Sequence, residues 1–191
     1  MNPTEIFPQN IYKKSYLKFN KKYLADLQAS IELMRRGDVR GRNVSNIEFG
    51  WQSDNLPHSG PFEPLTQHIT KAAFNFCKDL KNFEFKKIEI LDLWANINYC
   101  GDINWPHIHV GDIAGVYYIQ VYKNSGNLIL KSVSYNQHNK LAHYLSQKHS
   151  HVVKPKNDML VLFDANCWHL VSKSRSDKPR ISVSFNLKIY D

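Results

Sequence analysis

In the stretch NWPHIHVGD, residues 104–112, two histidines stand two positions apart. In an extended segment His107 and His109 project from one face, because strand side chains alternate with a period of two. Two imidazoles so placed suit chelation of a metal ion; the same spacing also suits an ordinary half-exposed strand end. A metal site needs a further ligand from elsewhere, and the best placed is His169 in MLVLFDANCWHLV, after a strand-like run and a short turn. Eleven residues later Arg180 opens RISVSFN, where Arg180, Ser182, Ser184 and Asn186 alternate with Ile181, Val183, Phe185 and Leu187. That polar face either meets water or, beside a metal, offers a guanidinium fork to a carboxylate. Asp112 is the rival of His109 for a coordination position, and the two-residue offset favours His109.

Two kinds of element must position these residues. Over 23–36, Leu24, Leu27, Ile31 and Met34 recur at helical spacing before Gly37; over 62–80, Leu65, Ile69, Ala72, Ala73 and Phe76 do the same after Ser59, Gly60 and Pro61. After residue 83 the period becomes extended, and 87–99, 115–122, 127–132, 159–163 and 181–189 read as strands. The expectation is a mainly β, α+β fold, a sandwich or barrel with the N-terminal helices packed on one sheet. One domain over 1–191 follows, helical to about residue 82 and β from about 83. The polar segment 133–153 carries His138, His143, His149 and His151 at irregular spacing and reads either as a substrate-facing loop or as a plain surface excursion.

Composition narrows the classes. The chain of 191 residues is 42% hydrophobic, long enough for one buried core, and has no apolar run approaching the ~18 residues needed to cross a bilayer. MNPTEIFPQN carries Glu5 and no apolar core, so it does not read as a secretory signal, and a cytoplasmic location is the expectation. Cys77, Cys100 and Cys167 contain no CxxC pair and read as buried thiols rather than a disulfide framework. The net charge of +8 leaves a basic nucleic-acid-binding module as the non-enzymatic alternative, although the charges are dispersed and no such motif is visible.

The order HIH, GVYYI, DMLVLFDANCWH, PRIS resembles that of the iron(II)- and 2-oxoglutarate-dependent oxygenases of the double-stranded β-helix, a jelly-roll and cupin-like fold. More narrowly, FGWQS (49–53), WANINYCGD (94–102), HIH with AGVYYI, and LVLF…H…RISVSFN are similar to a family of such oxygenases in bacteria and bacteriophages, over residues 45–187. The resemblance implies an enzyme that uses Fe(II), 2-oxoglutarate and O2, releases succinate and CO2, and hydroxylates a prime substrate. Carried over by position, His107 and His169 match the metal histidines, and His109 stands where the usual carboxylate does, a departure from the two-histidine, one-carboxylate triad. Arg180 matches the arginine that pairs with the distal carboxylate of 2-oxoglutarate. Ser182 matches a hydroxyl on that carboxylate, Tyr118 a tyrosine that donates to it, and Tyr99 a second cosubstrate-lining tyrosine. Both tyrosines also read as core packing. Three neutral histidines leave the full divalent charge on iron, which implies a tighter hold on the 2-oxoglutarate dianion and lower tolerance of low pH. Analogy on this fold favours a protein side chain (prolyl, asparaginyl or aspartyl) as prime substrate, with a small molecule or nucleic acid as alternatives. Choice among them is expected in the FGWQS and 133–153 loops. A metal-dependent cupin enzyme that does not consume 2-oxoglutarate competes for the same barrel; Gly101 and His107 are spaced as in a cupin motif, but its downstream glutamate is missing and it has no use for Arg180.

Overall fold

Asn20 starts the first helix: its Oδ1 accepts from Tyr23 N at 2.8 Å, satisfying one of the amides that a helix N-terminus leaves free. Helix α1 runs Lys21–Gly37, buries Leu27 and Ile31, and closes on Arg35 and Arg36, whose charge suits its negative end. Helix α2, Glu63–Lys78, follows a 3-10 turn over Gly60–Phe62 and carries Pro64 in its first turn, where a missing N–H is tolerated. This computed structural model describes residues 12–42, 50–80, 82–131 and 150–191. The N-terminal decapeptide, Phe49, and His138, His143 and His149 of the 133–153 segment lie outside the described residues.

Among the described residues ten strands follow the chain: β1 (Tyr12–Tyr16), β2 (Trp51–Gln52), β3 (Lys87–Asn98), β4 (Asn104–His107), β5 (Ile113–Gln120), β6 (Leu128–Leu130), β7 (His151–Val153), β8 (Met159–Asp164), β9 (His169–Val171) and β10 (Arg180–Tyr190). They form a six-stranded sheet in the order β1-β8-β5-β10-β3-β2 and a four-stranded sheet in the order β4-β9-β6-β7. This is the double-stranded β-helix arrangement, mainly β with two helices, in which the two sheets stay separate instead of closing into a barrel. The expected division near residue 82 is not so sharp. Strands β1 and β2 come from the N-terminal part and form both edges of the larger sheet.

The period of two decides what each face of the larger sheet does. Outward, Leu93, Ala95 and Ile97 of β3 and Ile181, Val183, Phe185 and Leu187 of β10 join Leu27, Ile31, Leu65 and Ile69 of the helices in one core. Inward, β5 and β8 present Ala114, Tyr118, Met159, Val161 and Phe163, which pack on Leu128, Leu130 and Val153 of the smaller sheet. The inward positions of β3 and β10 are mostly polar: Asp92, Trp94, Asn96 and Asn98 on one strand, Arg180, Ser182, Ser184 and Asn186 on the other. Half of the inner face is therefore glued to the second sheet, and half is left to line a cavity. Cys77 and Cys167 are buried as expected, but Cys100 is exposed, since it lies in the turn beyond β3. No described helix is long and apolar enough to cross a membrane.

Candidate active site

Strands β4 and β9 pair antiparallel, with His107 opposite His169. His169 is delivered by a tight turn after β8, in which Asp164 O accepts from Cys167 N at 2.9 Å and Asp164 Oδ1 accepts from Asn166 N at 2.9 Å. His109 is not on β4, which ends at His107. The strand alternation expected for the HIH pair does not place it; its backbone N–H instead donates to Ala165 O at 2.9 Å, pinning the loop to the β8–β9 turn. The outcome is still convergence. Ligand atoms of His107, His109 and His169 all lie within 4.8 Å of one another, and His109 Nε2 stands 3.1 Å from His169 Nε2.

Hydrogen bonds fix which nitrogens are available. His107 Nδ1–H donates to Trp105 O at 2.6 Å, and His169 Nδ1–H donates to Cys167 O at 2.8 Å. Each neutral ring so held turns an Nε2 lone pair inward, the outer-shell arrangement that orients metal-binding histidines. Burial also keeps the rings neutral. Desolvation, with added repulsion from His107, lowers His109 to about 4 against the attraction of Asp92. Desolvation lowers His107, and takes His169 well below its ordinary range with further repulsion from the two neighbouring histidines. Two nitrogens each ~2.1 Å from one ion at about a right angle would stand ~3.0 Å apart, so the 3.1 Å spacing fits a shared divalent cation. Phe163 meets His169 edge-on with centroids 4.7 Å apart, and Trp94 lies 5.7 Å from His109, so aromatic walls hold the imidazoles.

Asp112, the rival ligand, is engaged elsewhere. Its Oδ1 accepts from Lys188 Nζ at 3.1 Å and its Oδ2 from Ile189 N at 2.8 Å, which ties the loop to the far end of β10.

His107 and His109 open on a cavity of about 250 Å³, with His169 buried behind them. Arg180 lies in its wall, 4% exposed. Its Nη2 donates to Asn98 Oδ1 at 2.7 Å and its Nη1 to Ser125 O at 3.2 Å, while its Nε has no partner among the described residues. Burial lowers its pKa, opposed by Tyr118 and Asp102. Gly126 permits this packing: its φ is +84°, and a Cβ there would lie 2.4 Å from Ser172 O. Tyr118 is buried with its ring centroid 5.9 Å from the guanidinium carbon, and its phenol is raised by desolvation. Ser182 lines the same wall. Tyr99 does not join them: it is 38% exposed, outside the cavity, and its backbone N–H donates to Asp102 Oδ2 at 2.7 Å in the turn after β3.

Sequence reasoning passed over the β3 row. Asp92, Asn96 and Asn98 belong to the cavity, and their alternation with Leu93, Ala95 and Ile97 was the available signal. Gln52, facing the same space from β2, left no such trace, because a two-residue strand has no period.

Comparison with known proteins supplies the remaining findings. Residues 92–186 match the family described as "Putative 2OG-Fe(II) oxygenase". No curated protein sequence matches the chain. Among solved structures, a Pseudomonas putida prolyl-4-hydroxylase is similar at 11% identity and TM-score 0.66, with 92% of this chain and 91% of that one covered. The viral collagen prolyl hydroxylase vCPH of Paramecium Bursaria Chlorella virus-1, in its 2OG complex, is similar at 13% identity and TM-score 0.62, covering 94% and 96%. HygX from Streptomyces hygroscopicus, with nickel, 2-oxoglutarate and hygromycin B bound, is similar at 9% identity and TM-score 0.65, covering 93% and 82%. At these identities the likenesses establish the shared fold.

Proposed function

We infer the roles of the cavity residues from one premise: through residues 92–186 this chain belongs to the 2OG-Fe(II) oxygenases. The family match favours that chemistry over the cupin and nucleic-acid-binding alternatives. Iron(II), when bound with 2-oxoglutarate and O2, supplies oxidative decarboxylation to succinate and CO2 coupled to hydroxylation of a prime substrate. His107, His109 and His169 hold the iron through Nε2, an assignment carried by the convergence of their ligand atoms. Three neutral ligands leave the divalent charge uncompensated, so the site favours an anionic cosubstrate over a neutral one.

Arg180 receives the distal carboxylate of 2-oxoglutarate. Its buried Nε–H without a partner is the donor that such a carboxylate would satisfy, and the fork suits two oxygens at once. Ser182 and the Tyr118 phenol line the same wall and complete the donor set. Asn98 orients the guanidinium by accepting from Nη2. The prime substrate approaches from the other side of the histidines as a side chain on a protein, a reading supported by the exposed Trp105, Ile108 and Trp168 beside the metal ligands in sequence. The free thiols of Cys77, Cys100 and Cys167 support a reducing, cytoplasmic setting, and the paired sheets with helices on one face support a single domain.

The test needs no prime substrate. Protein reconstituted anaerobically with iron(II) and 2-oxoglutarate should show the charge-transfer absorption of the chelate, and should form succinate slowly once O2 is admitted. Both signals should vanish in Arg180→Ala. Iron binding with neither signal in the unsubstituted protein would overturn the reading.

A further inference from the structure

The two ends of the cavity differ in charge. Arg180 stands at one end; six residues along β10, about 20 Å away at the ~3.3 Å rise of a strand, stands Asn186 with its cross-strand partner Asp92. Asn186 Nδ2 donates to Asp92 Oδ2 at 3.0 Å, and Asn55 Nδ2 makes a longer contact of 3.4 Å with Oδ1. No ion pair with a cation forms at this carboxylate among the described residues. Arg42 also lines the cavity, but it is exposed and makes no such pair.

An open acceptor stands beside the carboxylate. Asn186 is 5% exposed and its Oδ1 has no hydrogen-bond partner among the described residues; Asn104 Oδ1, which also has none, lies toward the Arg180 end of the cavity, opposite Val171. A buried acceptor without a hydrogen is costly, so one standing beside a carboxylate calls for a ligand rich in donors. Trp94 adds a third element. It follows Asp92 by two residues on the same face of β3, is nearly buried, and its ring reaches His109. An indole face attracts cations as a carboxylate does.

We propose that Asp92, Asn186 and Trp94 form the prime-substrate subsite, and that it takes a group bearing a cationic nitrogen, an alkylammonium or a guanidinium, beside the three histidines. The proposal rests on the oxygenase reading for the metal, and on the carboxylate, the open amide oxygen and the indole for its specificity. A peptide side chain and a free amine present the same nitrogen, so the probes must separate them.

Protein loaded with zinc(II), which does not turn over, is first titrated with 2-oxoglutarate. The loaded protein is then titrated calorimetrically with arginine and citrulline, with lysine and Nε-acetyl-lysine, and with blocked hexapeptides carrying each at the centre. In at least one charged and neutral pair, the charged probe should bind at least ten-fold more tightly, and in Asp92→Asn the preference should fall below two-fold. Preference in the peptides alone identifies a protein side chain; preference in the free compounds as well identifies a small amine. Equal affinity within every pair, a preference that survives Asp92→Asn, or no binding by any probe overturns the proposal. The pairwise comparison on the unsubstituted protein stands even if the variant fails to fold. Failure of 2-oxoglutarate to bind would count against the oxygenase reading alone, and the cation titrations repeated without it would still decide the role of Asp92.

Discussion

At the residue scale, the central question is why a third histidine stands where a carboxylate is usual. The answer lies in the loop after β4: the His109 amide bonded to Ala165 turns the imidazole toward His169, while Asp112 is spent on Lys188 and the Ile189 amide. His109→Ala should weaken metal binding by more than about 100-fold, beyond the ~10–100-fold typical of losing an outer-shell partner. Asp112→Ala should leave metal stoichiometry intact and cost only loop stability; calorimetric zinc(II) titration of both variants checks this, and the reverse pattern would make Asp112 the ligand. The same rings set a pH dependence in the metal-free protein. With His109 lowered to about 4 and His107 and His169 also lowered, the unfolded chain binds more protons than the folded one below the ordinary histidine range near 6.5. Stability should therefore be full above about pH 6.5 and fall progressively as the pH drops toward 4. Urea unfolding at a series of pH values would show it, and saturating zinc(II) should shift the loss to lower pH because metal competes with protons.

At the element scale, the site depends on the ladder of β3, β10 and β5. Arg180 pairs with Asn98, Ser182 with Asn96 and Tyr118, and Asn186 with Asp92, so one register fixes most of the cavity wall. Gly115 of β5 sits where that ladder is tightest. A Cβ there would lie 2.3 Å from Phe185 Cζ and 2.7 Å from the Val161 carbonyl. The backbone cannot yield as a flexible side chain does, so Gly115→Ala should destabilise the fold by about 1–3 kcal/mol, measured as a lower urea midpoint with an unchanged slope. An unaltered midpoint would mean that β5 and β8 separate more easily than their packing suggests. These long strands are also where the sequence was most legible: β3 and β10 are long enough to display alternation, β5 and β8 read as apolar runs, and the polar face led by Arg180 could be read before its burial was known. Strands β2, β4, β6, β7 and β9 have four residues or fewer, too short for a period, and of these only β6 was anticipated. Strand β1, YKKSY, was hidden for another reason. As an edge strand it alternates between half-buried and exposed positions and carries lysines, so tertiary pairing with β8, not hydrophobic pattern, makes it a strand. Tyr99 misled because its place beside the turn was invisible: a tyrosine one residue past β3 leaves the face that Asn98 still occupies.

At the scale of the whole molecule, the candidate ligands are divided between the sheets. His107 and His169 belong to the smaller sheet, with His109 just beyond β4, whereas Arg180, Ser182 and Tyr118 belong to the larger one. Their apolar contact is confined to the β5 and β8 half, so on the β3 and β10 side the sheets face each other across the cavity with few groups to bind them. A metal on the three histidines would gather only the smaller sheet and its loop. On the proposed assignment, a dicarboxylate held at one end by that metal and at the other by Arg180 would tie one sheet to the other. Stability should accordingly rise in two steps. Zinc(II) alone should raise the melting temperature, and 2-oxoglutarate should raise it again only when zinc(II) is present. At a hundred-fold excess over its dissociation constant each ligand contributes about 2.7 kcal/mol, which in a chain of this size is a shift of roughly 5–10 °C. Arg180→Ala should keep the zinc step and lose the 2-oxoglutarate step, because the second tether is gone while the first is untouched. The net charge of +8 attracts the dianion at long range whether or not Arg180 is present, so salt should slow its association in both proteins without erasing the difference between them. Stabilisation by 2-oxoglutarate without metal, or an undiminished second step in Arg180→Ala, would show that the cosubstrate does not span the sheets between the histidines and β10.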